Sequence, residues 1–409
     1  MKKPELLAPA GNMEKLDYAL AYGADAVYLS GKEYGLRAFA DNFSREELAV
    51  AVDKAHRNNS RAYITVNIFP KNADLEGLPE YLNYLKEIAV DAIICADPGI
   101  IGLAKKHTPD LPIHLSTQAN TTNWASADFW ETLGIKRIVL ARELSLQEII
   151  EIKEHTALDI ETFIHGAMCM SYSGRCLISN YLTGRDANKG ECAQPCRWNY
   201  SLCEEKRPGE YYPIFEDERG TYIFNSQDLC LINHLPQLIE AGIDSFKIEG
   251  RMKSAFYVAT VVSAYRKAID EYFEQKAYPS QKKLQRELDK ISHRPYTTGF
   301  YFAEKDEQMN IYSEDSAYIR EYEFIGRVLS FDKSKNLLCL EQRNNFKVGE
   351  KIELMEPHKE ITELTITQIF DENGNSLDCA PHPKQKIFIP CKNEVSRYAL
   401  LRREGAACG

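Results

Sequence analysis

Short apolar runs and amphipathic stretches alternate through the first two thirds of the chain. Compact runs of aliphatic and β-branched residues predict strands at Glu5–Pro9, Ala26–Leu29, Ala62–Asn67, Ala92–Ala96, Ile113–Thr117, Arg137–Ala141, Ile160–Ile164 and Ser245–Ile248. Between them, apolar positions recurring every three or four residues predict helices, among them Arg45–Asn58, Tyr81–Val90, Ala125–Leu133 and Leu146–His155. Eight such units in succession predict an α/β fold, a (β/α)8 TIM-like barrel, with an open doubly wound sheet as the alternative arrangement.

The pattern changes after two further helical stretches, Ser254–Glu274 and Lys282–His293. From about Tyr322 the chain reads as short strand-like runs broken by turn residues, in "FIGRVLSF", "NLLCLEQ", "FKVGEKIELM" and "KIFIPC". That pattern predicts a small C-terminal all-β, barrel-like domain of the kind used for docking. The expected organisation is a barrel over residues 1–295 with a cysteine-rich insertion at about 166–200, a linker over 296–317, and the β domain over 318–409. With 409 residues and 44 % hydrophobic content, the chain carries enough apolar material for more than one domain.

In a barrel of this kind the active site is built from the loops that follow the strands. Those positions carry Arg37 after the second strand, Asn67 after the third, Asp97 after the fourth, and Gln118 and Asn120 after the fifth. Arg142 and Glu143 follow the sixth strand, His165 the seventh, and Lys247, Glu249 and Arg251 lie at the eighth. Polar groups at successive strand ends suit a charged small molecule. His165, with an ordinary pKa near neutrality, is a candidate acid–base group, together with Glu143 and Glu249. For any one of the charged residues the competing reading is an ion pair on the rim, and for His165 a hydrogen-bonded loop histidine.

Four cysteines spaced Cys169-x6-Cys176-x15-Cys192-x3-Cys196 fall between strands seven and eight, in a segment rich in Gly, Ser and Asn. No periodic apolar face runs through it to bury them as core thiols, so they read as ligands of zinc or of an iron–sulfur cluster. The other seven of the eleven cysteines are scattered. No signal-peptide pattern opens the sequence, and no apolar run approaches the ~20 residues of a membrane span. A cytoplasmic protein with no membrane partner is expected, where thiols do not form a disulfide framework. The net charge of −10 withholds the basic footprint that would be a direct sign of nucleic-acid binding. Motifs of zinc proteases, α/β-hydrolases and nucleotide-binding loops are absent, which disfavours those classes.

Several segments together carry a resemblance: "PELLAPAGNMEKLDYALAYGADAVYLSG", "HLSTQANTTNWASADFW", "LARELSLQEI", "IHGAMCMSYSGRCLISNYLTGRDANKGECAQPCRW", "FNSQDL" and "KIEGRMKS". They resemble the collagenase-like peptidase family U32, and within it the branch linked to oxygen-independent formation of 5-hydroxyuridine at the wobble position of tRNA. The resemblance implies an RNA-modifying hydroxylase with a [4Fe–4S] cluster, tRNA as partner and prephenate as hydroxyl donor, and it leaves room for a partner subunit. It places Cys169, Cys176, Cys192 and Cys196 as cluster ligands, with Cys230 as an alternative fourth. Prephenate being a dicarboxylate, Arg142, Arg251 and Arg37 are the expected clamps. A metal-dependent peptidase and a zinc-stabilised scaffold are the alternatives.

Overall fold

The computed structural model describes residues 2–36, 42–168, 227–302 and 318–405, together with the backbone of four short strands, Leu202–Cys203, Tyr211–Tyr212, Phe215–Asp217 and Gly220–Tyr222. Strands β1 (Glu5–Pro9), β2 (Ala26–Ser30), β3 (Arg61–Thr65), β4 (Ala92–Cys95), β5 (Ile113–Leu115), β6 (Arg137–Val139) and β7 (Asp159–Ala167) pair in parallel, each with the next. β8 (Ser245–Ile248) pairs in parallel with both β7 and β1. The sheet therefore closes, and the open doubly wound alternative is set aside.

Helices α1 (Met13–Ala21), α2 (Arg45–Arg57), α3 (Leu78–Glu87), α4 (Pro98–His107), α5 (Trp124–Thr132) and α6 (Leu146–His155) follow the first six strands. Their starts are set locally. Ser44 and Ser145 form capping boxes with Glu47 and Glu148, and Asp97 caps α4 by accepting from the Ile100 N–H at 3.0 Å. Three more helices, α7 (Leu235–Glu240), α8 (Ala255–Gln275) and α9 (Gln281–Asp289), complete the outer layer.

Side chains alternate across each strand, so every second residue points into the barrel. Those inward positions are partly charged. Glu5 accepts from Arg137 at 2.5 Å, from Ser245 Oγ at 2.9 Å and from Tyr63 Oη at 2.7 Å. Arg137 also reaches Glu161 at 3.2 Å, and Lys247 Nζ donates to Glu161 Oε1 at 2.7 Å. A chain of buried ion pairs thus runs through the barrel interior, each charge matched by a neighbour, as burial requires.

A short strand, Asp228–Cys230, pairs antiparallel with the end of β7, and Tyr296–Thr297 pairs parallel with it. The linker expected from residue 296 is therefore corrected at its start. Tyr301 is buried, its Oη donates to the Phe163 carbonyl at 2.7 Å, and its own carbonyl accepts from the Leu146 N–H at 2.9 Å. Phe300 and Tyr301 of "TTGFYF" pack on the barrel's apolar cluster.

The second domain is an antiparallel sheet built on Tyr322–Asp332, Leu337–Gln342, Lys351–Met355, Lys386–Pro390 and Leu400–Glu404, with its own apolar core around Ile325, Leu338, Phe346 and Ile387. It is packed onto the barrel. Tyr22 Oη of the loop after α1 donates toward the carbonyls of Met355 and Tyr398, at 2.9 and 3.0 Å. Phe324 stacks on Phe256 with centroids 5.3 Å apart, and Met355 and Leu400 join the barrel's apolar cluster. Arg402, fully buried, donates to Glu353 at 2.7 Å and to Glu287 of α9. Among the described residues no helix is long and apolar enough to cross a membrane.

Candidate functional site

The top inward layer of the barrel, at the C-terminal ends of the strands, forms the floor of a cavity of about 210 Å³. Tyr28, Thr65, Ile94, Val139, Phe163 and Lys247 come from that layer, and Leu36, Asn67, Ser116, Thr117, Gln118, Arg142, Glu249 and Arg251 from the loops above it. Six of the residues expected from the sequence are brought together here: Asn67, Gln118, Arg142, Lys247, Glu249 and Arg251.

The three cations of the lining are individually held. Lys247 stands on Glu161 and lies 4.8 Å from the centroid of the Tyr28 ring. The Arg142 guanidinium lies 3.9 Å from the Phe163 ring centroid and donates to the Ala167 carbonyl at 3.2 Å. Arg251 donates to Thr65 Oγ1 at 3.2 Å and to the Leu36 carbonyl. Its own carbonyl accepts from Lys15 Nζ at 3.1 Å. A Cβ at Gly11 would lie 2.2 Å from that carbonyl oxygen, so glycine there is what lets the Arg251 backbone approach β1.

Asn67 and Gln118 form a directed chain. The Leu36 N–H donates to Asn67 Oδ1 at 3.2 Å, Asn67 Nδ2 donates to Gln118 Oε1 at 2.8 Å, and Ser116 Oγ donates to the same Oε1 at 3.1 Å. Thr117 Oγ1 donates to the Leu140 carbonyl at 3.1 Å. Among the described residues, neither hydroxyl is paired with a histidine.

Other expected residues lie elsewhere. Asp97 is the cap of α4. Asn120 adopts a left-handed conformation (φ 51°) and donates to the Gln118 carbonyl at 3.2 Å, shaping the loop without lining the cavity. Glu143 follows β6 beside Arg142 but is not part of the lining, and its Oε2 is buried with no hydrogen-bond partner among the described residues. Arg37, Cys169, Cys176, Cys192 and Cys196 lie outside the described residues.

The near-neutral titration expected of His165 is corrected. The ring is packed among Tyr257, Tyr265 and Tyr296, with centroids 5.9, 5.6 and 5.6 Å away, and is 1 % exposed. Burial first, then repulsion by His293 and Lys253, pushes its pKa down to about 3. It is a neutral ring behind the cavity wall. Its main-chain carbonyl nevertheless serves the site, accepting from the Glu249 N–H at 2.8 Å.

Cys230 faces the helices. Its Sγ lies 4.0 Å from Tyr265 Oη and 3.9 Å from Gln285 Oε1, and burial pushes its thiol up to about 12.

Sequence reasoning missed Tyr28, Thr65, Ser116 and Phe163 as cavity residues. The signal available was their position: Tyr28 and Thr65 are at or near the ends of β2 and β3, Ser116 directly follows β5, and Phe163 lies within β7.

Fold and site together define a TIM-like barrel with a cation-lined cavity at its rim, joined to a β domain. Residues 11–311 match the model of Peptidase family U32, and residues 320–402 that of the Peptidase family U32 C-terminal domain. The chain belongs to peptidase family U32. It is 45 % identical to "tRNA hydroxylation protein P1" of Bacillus subtilis (strain 168), over 98 % of this chain and 95 % of that one. It is 38 % identical to "tRNA hydroxylation protein P" of Escherichia coli (strain K12), over 98 % of this chain and 97 % of the relative. It is also 38 % identical to "23S rRNA 5-hydroxycytidine C2501 synthase" of the same organism, over 66 % of this chain and 40 % of that one.

Proposed function

We propose that this protein takes part in oxygen-independent hydroxylation of wobble uridine in tRNA to 5-hydroxyuridine, with prephenate as hydroxyl donor and a [4Fe–4S] cluster as cofactor. The observation that carries the reading is the cavity: two guanidinium groups, Arg142 and Arg251, line one small site together with Glu249 and with Lys247, whose charge Glu161 matches from below, and paired guanidinium forks suit a dicarboxylate. Relatives matching nearly the full length of the chain bear the name of tRNA hydroxylation proteins, which supports tRNA as the substrate class.

Cys169, Cys176, Cys192 and Cys196 are the proposed ligands of the cluster: four soft thiolate donors within one segment between β7 and β8. Cys230 is the alternative fourth ligand. When bound, the cluster would supply one-electron chemistry. The chain's own residues bind and orient the small acid, Arg142 over Phe163 and Arg251 through its ties to Thr65 and Leu36.

Calorimetric titration of the anaerobically purified protein with prephenate tests this reading. Binding by the wild type should fall by roughly one to two orders of magnitude in Arg142→Ala, since a charge-assisted hydrogen bond contributes about 1.5–3 kcal/mol. Lys at that position should rescue poorly, because an ammonium lacks the planar fork. Iron and sulfide retained in all four single Cys→Ala variants would remove the cluster assignment, and colourless protein with stoichiometric zinc would favour a scaffold.

A further inference from the structure

Gln118 is 4 % exposed, lines the cavity, and has a side-chain nitrogen, Nε2, with no hydrogen-bond partner among the described residues. A buried amide N–H left unmatched is costly, so its placement calls for an explanation.

Which end of the amide is left without a partner follows from the hydrogen-bond chain. A backbone N–H can only donate, so the atom of Asn67 that meets the Leu36 N–H is the oxygen. The other end of Asn67 is then its NH2 group, which can only donate, so the atom of Gln118 that receives it is Oε1. Ser116 Oγ accepts from the Gln118 N–H at 3.4 Å and donates its proton to the same Oε1. With its oxygen doubly engaged, Gln118 is left with its Nε2 as a buried donor that has no partner among the described residues.

We propose that Gln118 is a specificity-determining residue of the cavity: its Nε2 donates to an acceptor oxygen of the bound acid, a carboxylate or keto oxygen, and disfavours a ligand that would present a donor there. The inference rests on the reading of the cavity as an anion site. It adds what the cations cannot supply, because a point charge attracts any anion whereas an oriented N–H selects the position of an acceptor.

Gln118→Glu is the decisive substitution. Its carboxylate is isosteric with the amide, so one oxygen still accepts from Asn67 and Ser116 while the other replaces the unpartnered donor with a negatively charged acceptor. The variants Gln118→Glu and Gln118→Met are titrated calorimetrically with prephenate at pH 7.5, and with sulfate, which stays doubly charged, between pH 8 and pH 5. Prephenate affinity should fall roughly tenfold in the Met variant, for one lost hydrogen bond, and about a hundredfold or more in the Glu variant. Sulfate binding by the Glu variant should recover toward that of the Met variant as the pH falls and the carboxyl takes up a proton, with melting temperatures close to wild type.

Wild-type affinity in Gln118→Glu overturns the proposal and leaves the anion site standing. Weak binding that does not recover in acid and tracks a lowered melting temperature overturns it too, by assigning Gln118 a structural role. A wild type that binds neither anion overturns the anion site and this role with it, whereas sulfate binding governed by Gln118 without any prephenate binding upholds the role and refutes prephenate as co-substrate.

Discussion

Lys247 Nζ donates to Glu161 Oε1 at 2.7 Å, and Glu161 is completely buried, so an ammonium lining the cavity is held from below by a carboxylate of the barrel interior. The pair links site and scaffold: the same Glu161 also receives Arg137, which in turn holds Glu5.

Removing one member of this pair should cost far more than removing both. Glu161→Gln leaves Lys247 buried without its carboxylate and is expected to lose about 3–5 kcal/mol of stability, while adding Lys247→Met should recover most of that loss. Urea unfolding of the single and double variants checks this. A single variant within about 1 kcal/mol of wild type would mean that the interior chain of charges tolerates the loss by rearranging.

His165 gives the protein a defined acid sensitivity. Its folded pKa is depressed to about 3, whereas the unfolded chain titrates near 6.5, so below about pH 6.5 the unfolded state binds a proton that the folded state refuses. Stability from this group is therefore fully present above pH 6.5 and is lost progressively as the pH falls toward 3. The slope is up to about 1.4 kcal/mol per pH unit. His114, also driven well down by burial and by Arg137, adds in the same direction. His165→Phe should flatten the slope between pH 6.5 and 5 by about one proton, read from urea midpoints across that range, and an unchanged slope would contradict the assignment.

Arg402 joins the two domains by holding Glu353 and Glu287 while Lys290 reaches the same carboxylates at 2.9 and 3.0 Å. Arg402→Ala leaves two carboxylates to one ammonium and should destabilise by about 3–5 kcal/mol, with Lys a poor substitute for the forked guanidinium. Scanning calorimetry should show a lowered transition for both variants. Wild-type melting of Arg402→Ala would show that the apolar contacts at Tyr22, Phe256 and Phe324 join the domains unaided.

Much of the barrel was legible because parallel strands buried on both faces and amphipathic helices alternate with clear periods; the strand positions named in the sequence match the structure to within a few residues at the ends. Six of the fourteen residues lining the cavity were legible for a related reason, since counting polar residues at strand ends locates a rim without any knowledge of side-chain direction. Direction is what separated Gln118 from Asn120: two residues apart on one loop, one lines the cavity and the other turns in a left-handed conformation. His165 misled because a histidine after a strand carries no sign of the three tyrosines, two from α8 and one from the segment read as a linker, that close around it. The interior ion pairs were visible as Glu5, Arg137, Glu161 and Lys247 inside otherwise apolar strands, yet their matching partners lie up to 132 residues apart and only closure of the sheet brings them together.

The most direct test of the account is nucleoside mass spectrometry of tRNA from a strain lacking this protein, complemented with the wild-type gene or with Arg142→Ala or Cys176→Ala. 5-Hydroxyuridine and the nucleosides derived from it should disappear in the deletion strain grown without oxygen, return with the wild type, and fail to return with either variant. Unchanged 5-hydroxyuridine in the deletion strain, with no paralogue supplying it, would contradict the proposed function at its centre.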